Sequence, residues 1–231
     1  MGKKKEQAYD YENLKKLICA DALVPMVDVS NDTSDVRLYE PASTKADDLK
    51  MVQLKSVPNC TVVLRLDKFF TVCLSCKSVT EGNEKKKQFK FEKFCFEDID
   101  KLGVRHRCDF LLVTEYKGKR VLIFIELKTS LQGQTEQITT QFKGGTCLAK
   151  YISELHYQFY QDDSIVKISE LRYVVFHIRG GLDKGKKKVT NWANRRGRQY
   201  DLPEAPLRYQ VQQSGVSIPF GTLYGQLNYG G

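Results

Sequence analysis

Asp109, Glu126 and Lys128 are the residues whose types and spacing most directly suggest chemistry. Glu126 and Lys128 close the stretch VLIFIELKTS (121 to 130), in which five apolar residues run straight into Glu-Leu-Lys. A charge taken out of water without a partner costs several kcal/mol or shifts its pKa. Either this strand ends in solvent or its charges are placed for a purpose. RCDFLLVTEY (107 to 116) and RVLIFIELK (120 to 128) read as two arms of a hairpin turning through Lys117-Gly118-Lys119-Arg120. With Gly118-Lys119 as the central pair, Lys117 would face Arg120, Asp109 would face Lys128 and Leu111 would face Glu126. Opposed residues share a face, and a period of two puts Glu126 and Lys128 on it together. Asp109 and Glu126 would then be diagonal neighbours, roughly 7–8 Å apart or somewhat less between Cβ atoms.

Two carboxylates and an ammonium at one end of a central hairpin suit a hard cation. Mg2+ takes oxygen ligands, keeps several waters and needs only one or two carboxylates. It would also relieve the repulsion between the two acids. The lysine could orient or help deprotonate a water and steady charge on a phosphoryl oxygen. The expected chemistry is Mg2+-dependent hydrolysis of a phosphodiester, with Mn2+ able to substitute. The plainer reading is a cross-strand ion pair worth about 0–1 kcal/mol; the apolar neighbours argue against the exposure it needs.

Asp109, sixteen intervening residues, then Glu126-Leu127-Lys128 resembles the PD-(D/E)xK nuclease superfamily, with its restriction-endonuclease-like fold. The resemblance implies a mixed sheet with a helix before the first core strand and another after the third. It implies Asp109 and Glu126 as Mg2+ ligands, the backbone carbonyl of Leu127 as a further ligand, and Lys128 as catalytic. QFKGGTCLAKY (141 to 151) looks like the glutamine-bearing helix of some members, which implies a catalytic role for Gln141 and, less directly, one for Tyr151. Many members place a metal-binding glutamate on the first helix. Glu12 matches that position, with Glu6 in reserve. The run RHRCDFLLV…FIELKTS…QF is similar to a branch of bacterial and prophage proteins, which alone suggests phage defence or a mobile element. Cys108 stands where the name-giving proline would be. The resemblance spans roughly residues 60 to 180 and the first helix.

The elements that must hold these residues can be read from periodicity. Tyr11, Leu14, Leu17, Ile18 and Leu23 have helical spacing within 8 to 24, and Pro25 ends it. Residues 29 to 48, rich in Ser, Thr and Asp, read as a loop. Residues 60–78 and 88–96 read as a long hairpin with the charged turn EGNEKKK, and 134 to 160 as a helix with an interruption at Gly144-Gly145. LRYVVFHI (171 to 178) is a strand apolar on both faces, as central strands are. The tail, 203 to 231, predicts short strands at best. The expected fold is α/β: a restriction-endonuclease-like core with a mixed central β-sheet flanked by helices, plus β-rich additions. Residues 1–180 would form the core, with a long insert at 25–59. Residues 181–231 would be a basic loop and irregular extension of the same domain.

The chain has 231 residues and a formal net charge of +9, which favours a polyanion partner. Nucleic acid is expected, DNA ahead of RNA. KGKKKVTNWANRRGRQY (184 to 200) concentrates that charge in Lys184, Lys186, Lys187, Lys188, Arg195, Arg196 and Arg198, with Trp192 and Tyr200 able to stack on bases. The lysines at 85 to 87 could clamp a backbone or simply protect a sheet edge. Cys73 and Cys76 have CxxC spacing without a second pair, and zinc there would need Cys95 or Cys108 as well. His106 is close enough in sequence to Asp109 to approach a phosphate. No secretory segment and no membrane-length apolar run is present, so a reduced cytoplasmic protein without membrane contact is expected. Cutting two strands would call for a homodimer or a targeting partner. Two other readings compete: a nucleic-acid-binding module with a silent nuclease-like core, and a scaffold or inhibitor binding an acidic protein.

Overall fold

The computed structural model describes residues 11–18, 20–40, 48–66, 106–160, 169–178 and 200–229. They form a mixed α/β protein with two mixed sheets and few helices. The elements are α1 (Glu12–Leu17), a 3-10 turn (Ala20–Ala22), β1 (Met26–Asp28), β2 (Thr33–Tyr39), β3 (Met51–Pro58), β4 (Val62–Arg65), β5 (Phe110–Tyr116), β6 (Lys119–Lys128), α2 (Thr135–Tyr160), β7 (Glu170–Ile178), β8 (Leu207–Val211), β9 (Val216–Pro219) and α3 (Phe220–Tyr229).

The main sheet runs β4-β5-β6-β7-β8. Its first three strands are antiparallel neighbours, and β7 and β8 add on in parallel. β6 is central, and Val121 through Leu127 are all buried, as a strand covered on both faces requires. One face packs against α1 and α2. Leu122, Phe124, Leu111, Val113, Tyr173 and Val175 meet Leu14, Ile138, Phe142 and Ile152 there. The other face meets the second sheet, ordered β1-β2-β3-β9, together with α3. Each large apolar side chain so covered contributes about 1.5–3 kcal/mol.

α2 runs unbroken through Gly144-Gly145, so the expected interruption is absent. Its buried positions Ile138, Phe142, Gly145, Ala149, Ile152 and His156 recur every three or four residues. The glycine serves close packing: a Cβ on Gly145 would sit 2.7 Å from Cys108 Sγ.

Several expectations are corrected. The first helix stops at Leu17 instead of running to residue 24, because the chain beyond it is drawn to the sheet edge. Leu23 bridges Leu64, and the Val24 N–H donates to the Val63 carbonyl at 2.9 Å. The segment read as a loop holds β2, whose Val36 and Leu38 are buried while Arg37 is exposed. Its polar residues decorate one side of a sheet that is wet on that side. The insert also contains β3. The tail is not irregular: β8 completes the main sheet, β9 pairs in parallel with β3, and α3 buries Phe220, Leu223, Tyr224 and Leu227. Insert and tail thus build the second sheet jointly. Of the expected long hairpin, β4 is described, and it pairs with β5; its remainder lies outside the described residues, as do Cys73, Cys76, Cys95 and the lysines at 85 to 87.

Candidate active site at the end of the central hairpin

The hairpin turns one residue earlier than expected. Lys117 (φ 52°) and Gly118 (φ 71°) are its central pair, both in the left-handed region that a type I′ turn needs. Tyr116 therefore faces Lys119, and Phe110 faces Ile125. Every partner moves by two residues, so each side chain keeps its face but gains a new neighbour. Continued one step, this register sets Asp109 beside Glu126 and not, as expected, opposite Lys128.

The two acids are linked through the backbone. The Asp109 N–H donates to Glu126 Oε2 at 3.1 Å, and the Leu127 N–H donates to Asp109 Oδ2 at 2.7 Å. Lys128 Nζ lies 2.6 Å from Glu126 Oε1, with the glutamate side chain fully buried and the lysine 18% exposed. Leu127 turns its side chain into the core on the opposite face, so only its backbone is available to the site.

Burial dominates the electrostatics. It raises Asp109 well above the ordinary aspartate range; the charge of Glu126 adds to this, while the Leu127 N–H and Lys128 oppose it. Burial also pushes Glu126 up to about 7, against the pull of Lys128, the Asp109 N–H and the Gln141 side chain. Even with Lys128 beside Glu126, the pair without a metal ion resists carrying two negative charges. Cys108, also buried and beside both acids, has its thiol pushed up first by burial and then by their charges. It is a packing residue in the protonated form.

Gln141, on α2, is brought to the site. Its Nε2 donates to the Arg107 carbonyl at 3.4 Å, and its Oε1 is buried without a hydrogen-bond partner among the described residues. Tyr151 is not brought there: it is 62% exposed, ten residues and about 15 Å further along the helix. Glu12 opens α1, whose Leu14 packs in the same core cluster as α2; the Glu12 side chain lies outside the described set. His106 is exposed. Glu6, Lys184, Lys186, Lys187, Lys188, Trp192, Arg195, Arg196 and Arg198 lie outside the described residues.

Two neighbours of the site were not legible in sequence. Glu40, at the end of β2, is close enough for its charge to raise Asp109 further. The same β2–β3 connection docks on the residue after Lys128. Thr129 Oγ1 donates to Asp48 Oδ1 at 3.0 Å and accepts from the Leu49 N–H at 3.1 Å. His177 is the second: it faces Lys128 directly across β6 and β7. Burial first, then the charge of Arg208, holds its imidazole below the usual histidine range, against the Ile178 carbonyl. Parallel pairing of distant segments creates this neighbour, which no local spacing announces.

Among the described residues no three His, Cys, Asp or Glu side chains are grouped so as to hold a metal by themselves. The donor chemistry that is present still fits Mg2+: two crowded carboxylates and the Leu127 backbone supply hard oxygen ligands, and this ion needs only one or two carboxylates from the protein. The chain matches no protein-family model, no curated protein and no solved structure. Among the described residues no helix is long and apolar enough to cross a membrane.

Proposed function

We propose that this protein is a metal-dependent nuclease with a restriction-endonuclease-like core, hydrolysing phosphodiester bonds in nucleic acid, DNA ahead of RNA. The observation that carries this is a fully buried Glu126 held against a part-buried Asp109, joined by backbone hydrogen bonds and accompanied by Lys128. Purely structural acids are seldom kept in a close, mutually repelling pair with one member fully buried, and perturbed carboxylates cluster at functional sites. Asp109 and Glu126 would hold Mg2+, or Mn2+ in its place, with the Leu127 carbonyl. Bound there, the ion would polarise a phosphate and acidify water. Lys128 would orient the attacking water and steady charge on the phosphoryl oxygens. Gln141 would position Glu126 and the chain entering β5. The free thiols of Cys60, Cys108 and Cys147 fit a reducing, cytoplasmic setting.

The deciding experiment is cleavage of labelled plasmid and single-stranded DNA with Mg2+, Mn2+ or EDTA. Wild type should cut only with metal, and Glu126→Ala and Lys128→Ala should each lose at least ~100-fold. No cutting by wild type, or equal cutting by both variants, overturns the proposal. One observation favours a silent nucleic-acid-binding module instead: the 2.6 Å ion pair already engages Glu126 Oε1 with Lys128. On that reading Asp109→Ala leaves nucleic-acid binding and every other activity unchanged.

A further inference from the structure

Val175 joins two rows of strand pairing. It faces Glu126 on β6 and Arg208 on β8. Residues level with one another on adjacent strands share a sheet face, so Arg208 rises from the same face as Glu126. Adjacent strands are about 4.8 Å apart, which puts the Arg208 backbone about 10 Å from that of Glu126. Lys128, His177 and Gln210 form the next row on that face. The site-bearing end of the sheet thus continues past the carboxylates to an arginine.

Arg208 lines a shallow cleft with Leu131, Thr135, Val175 and Pro206, beside the start of α2. It is only partly buried, so part of its side chain faces solvent beside the cleft. A guanidinium matches phosphate with two parallel N–H donors, which an ammonium cannot do. A nucleic-acid strand advances about 3.4 Å per nucleotide along a duplex axis, so about 10 Å spans a few phosphates. We propose that Arg208 binds a neighbouring phosphate, about one to three nucleotides from the bond being cut, on the same strand. It thereby sets the register in which that strand crosses Asp109 and Glu126. This rests on the phosphodiester chemistry proposed above, but it predicts binding that can be measured without cutting.

The test is anisotropy of a labelled oligonucleotide in EDTA across a salt series, using the full chain. Arg208→Gln should weaken binding on the order of tenfold and lower the slope of log affinity against log salt by about 1. Arg208→Lys, which keeps the charge and most of the packing, should restore the slope and only part of the affinity. Lys119→Gln, at the opposite end of β6, serves as the control and should leave the slope unchanged. In Mg2+, Arg208→Gln should raise KM far more than it lowers kcat and should shift the positions cut. Wild-type affinity and slope in Arg208→Gln would overturn the inference, even if the enzyme cuts. Lost affinity and slope in that variant, with a wild type that cuts nothing, would uphold the phosphate contact and sink the hydrolytic reading instead.

Discussion

Asp109 and Glu126 are cross-linked at the level of the main chain: Asp109 donates its N–H to the Glu126 carboxylate, and Leu127 donates its N–H to the Asp109 carboxylate. The ladder between β5 and β6 gives way to side chains at this point. Two acids therefore replace the last strand-to-strand hydrogen bonds, held close, with Glu126 out of water and Asp109 partly so. Their proton affinity follows from that placement, and so does a stability cost.

The cost should depend on pH. Below the ordinary glutamate value of 4.5, Glu126 is protonated in both folded and unfolded chains. Between 4.5 and about 7 only the unfolded chain ionises, so folding loses stability as pH rises through that window. The loss from Glu126 approaches about 3 kcal/mol above the folded value. Asp109 is shifted in the same direction and adds to it. Urea unfolding in EDTA should show a lower midpoint at pH 8 than at pH 5, and Glu126→Gln should flatten the difference. An unchanged slope in the variant would contradict the assignment.

Divalent metal should reverse that loss. Mg2+ or Mn2+ binds the ionised carboxylates, so apparent affinity should climb as pH rises through about 7, where Glu126 ionises, and the raised Asp109 extends that climb in the same direction. At a hundredfold excess over its dissociation constant, the ion should stabilise the fold by about 2.7 kcal/mol. Thermal melts and proton release in weak buffer would measure both effects. Asp109→Asn and Glu126→Gln should each abolish the metal-dependent shift.

Packing of α2 on the sheet should be sensitive at Gly145. An alanine there meets Cys108 Sγ at 2.7 Å and Leu66 at 3.3 Å. Overpacking costs about 1–3 kcal/mol, against roughly 1 kcal/mol gained from helix propensity. Gly145→Ala should therefore destabilise, and adding Cys108→Ala should recover part of the loss. Chemical denaturation of both single variants and the double would give the coupling energy.

The tail should prove integral to the fold. Arg172, 2% exposed, binds Glu170 at 2.6 Å and Asn228 Oδ1 at 2.6 and 3.0 Å, tying β7 to α3. Asn228→Ala takes partners from a buried guanidinium and should cost about 1–3 kcal/mol. A variant unfolding at the wild-type midpoint would show that α3 is dispensable.

The hairpin of β5 and β6, the helix α2 and the strand β7 were legible because each carries an apolar pattern that survives in isolation. Val121 to Ile125 and Leu171 to Phe176 need burial on both sides, and α2 repeats its apolar residues at helical spacing. β2, β3 and α3 were not legible for the same kind of reason. β2 and β3 carry polar residues on their open side, and Gly221 and Gly225 weaken the helical signal in α3. They become ordered by pairing with each other and by covering the main sheet.

Local patterns alone therefore determined that Asp109, Glu126 and Lys128 share one face, because strand alternation survives a two-residue slip. The tertiary structure decided which of them touch. The left-handed pair Lys117-Gly118 set Asp109 beside Glu126, and parallel pairing brought His177 and Arg208 into the same rows. The second sheet carried Glu40 to the same end of the main sheet. Alternation is a property of each strand by itself, whereas register and strand order depend on contacts between segments far apart in the chain.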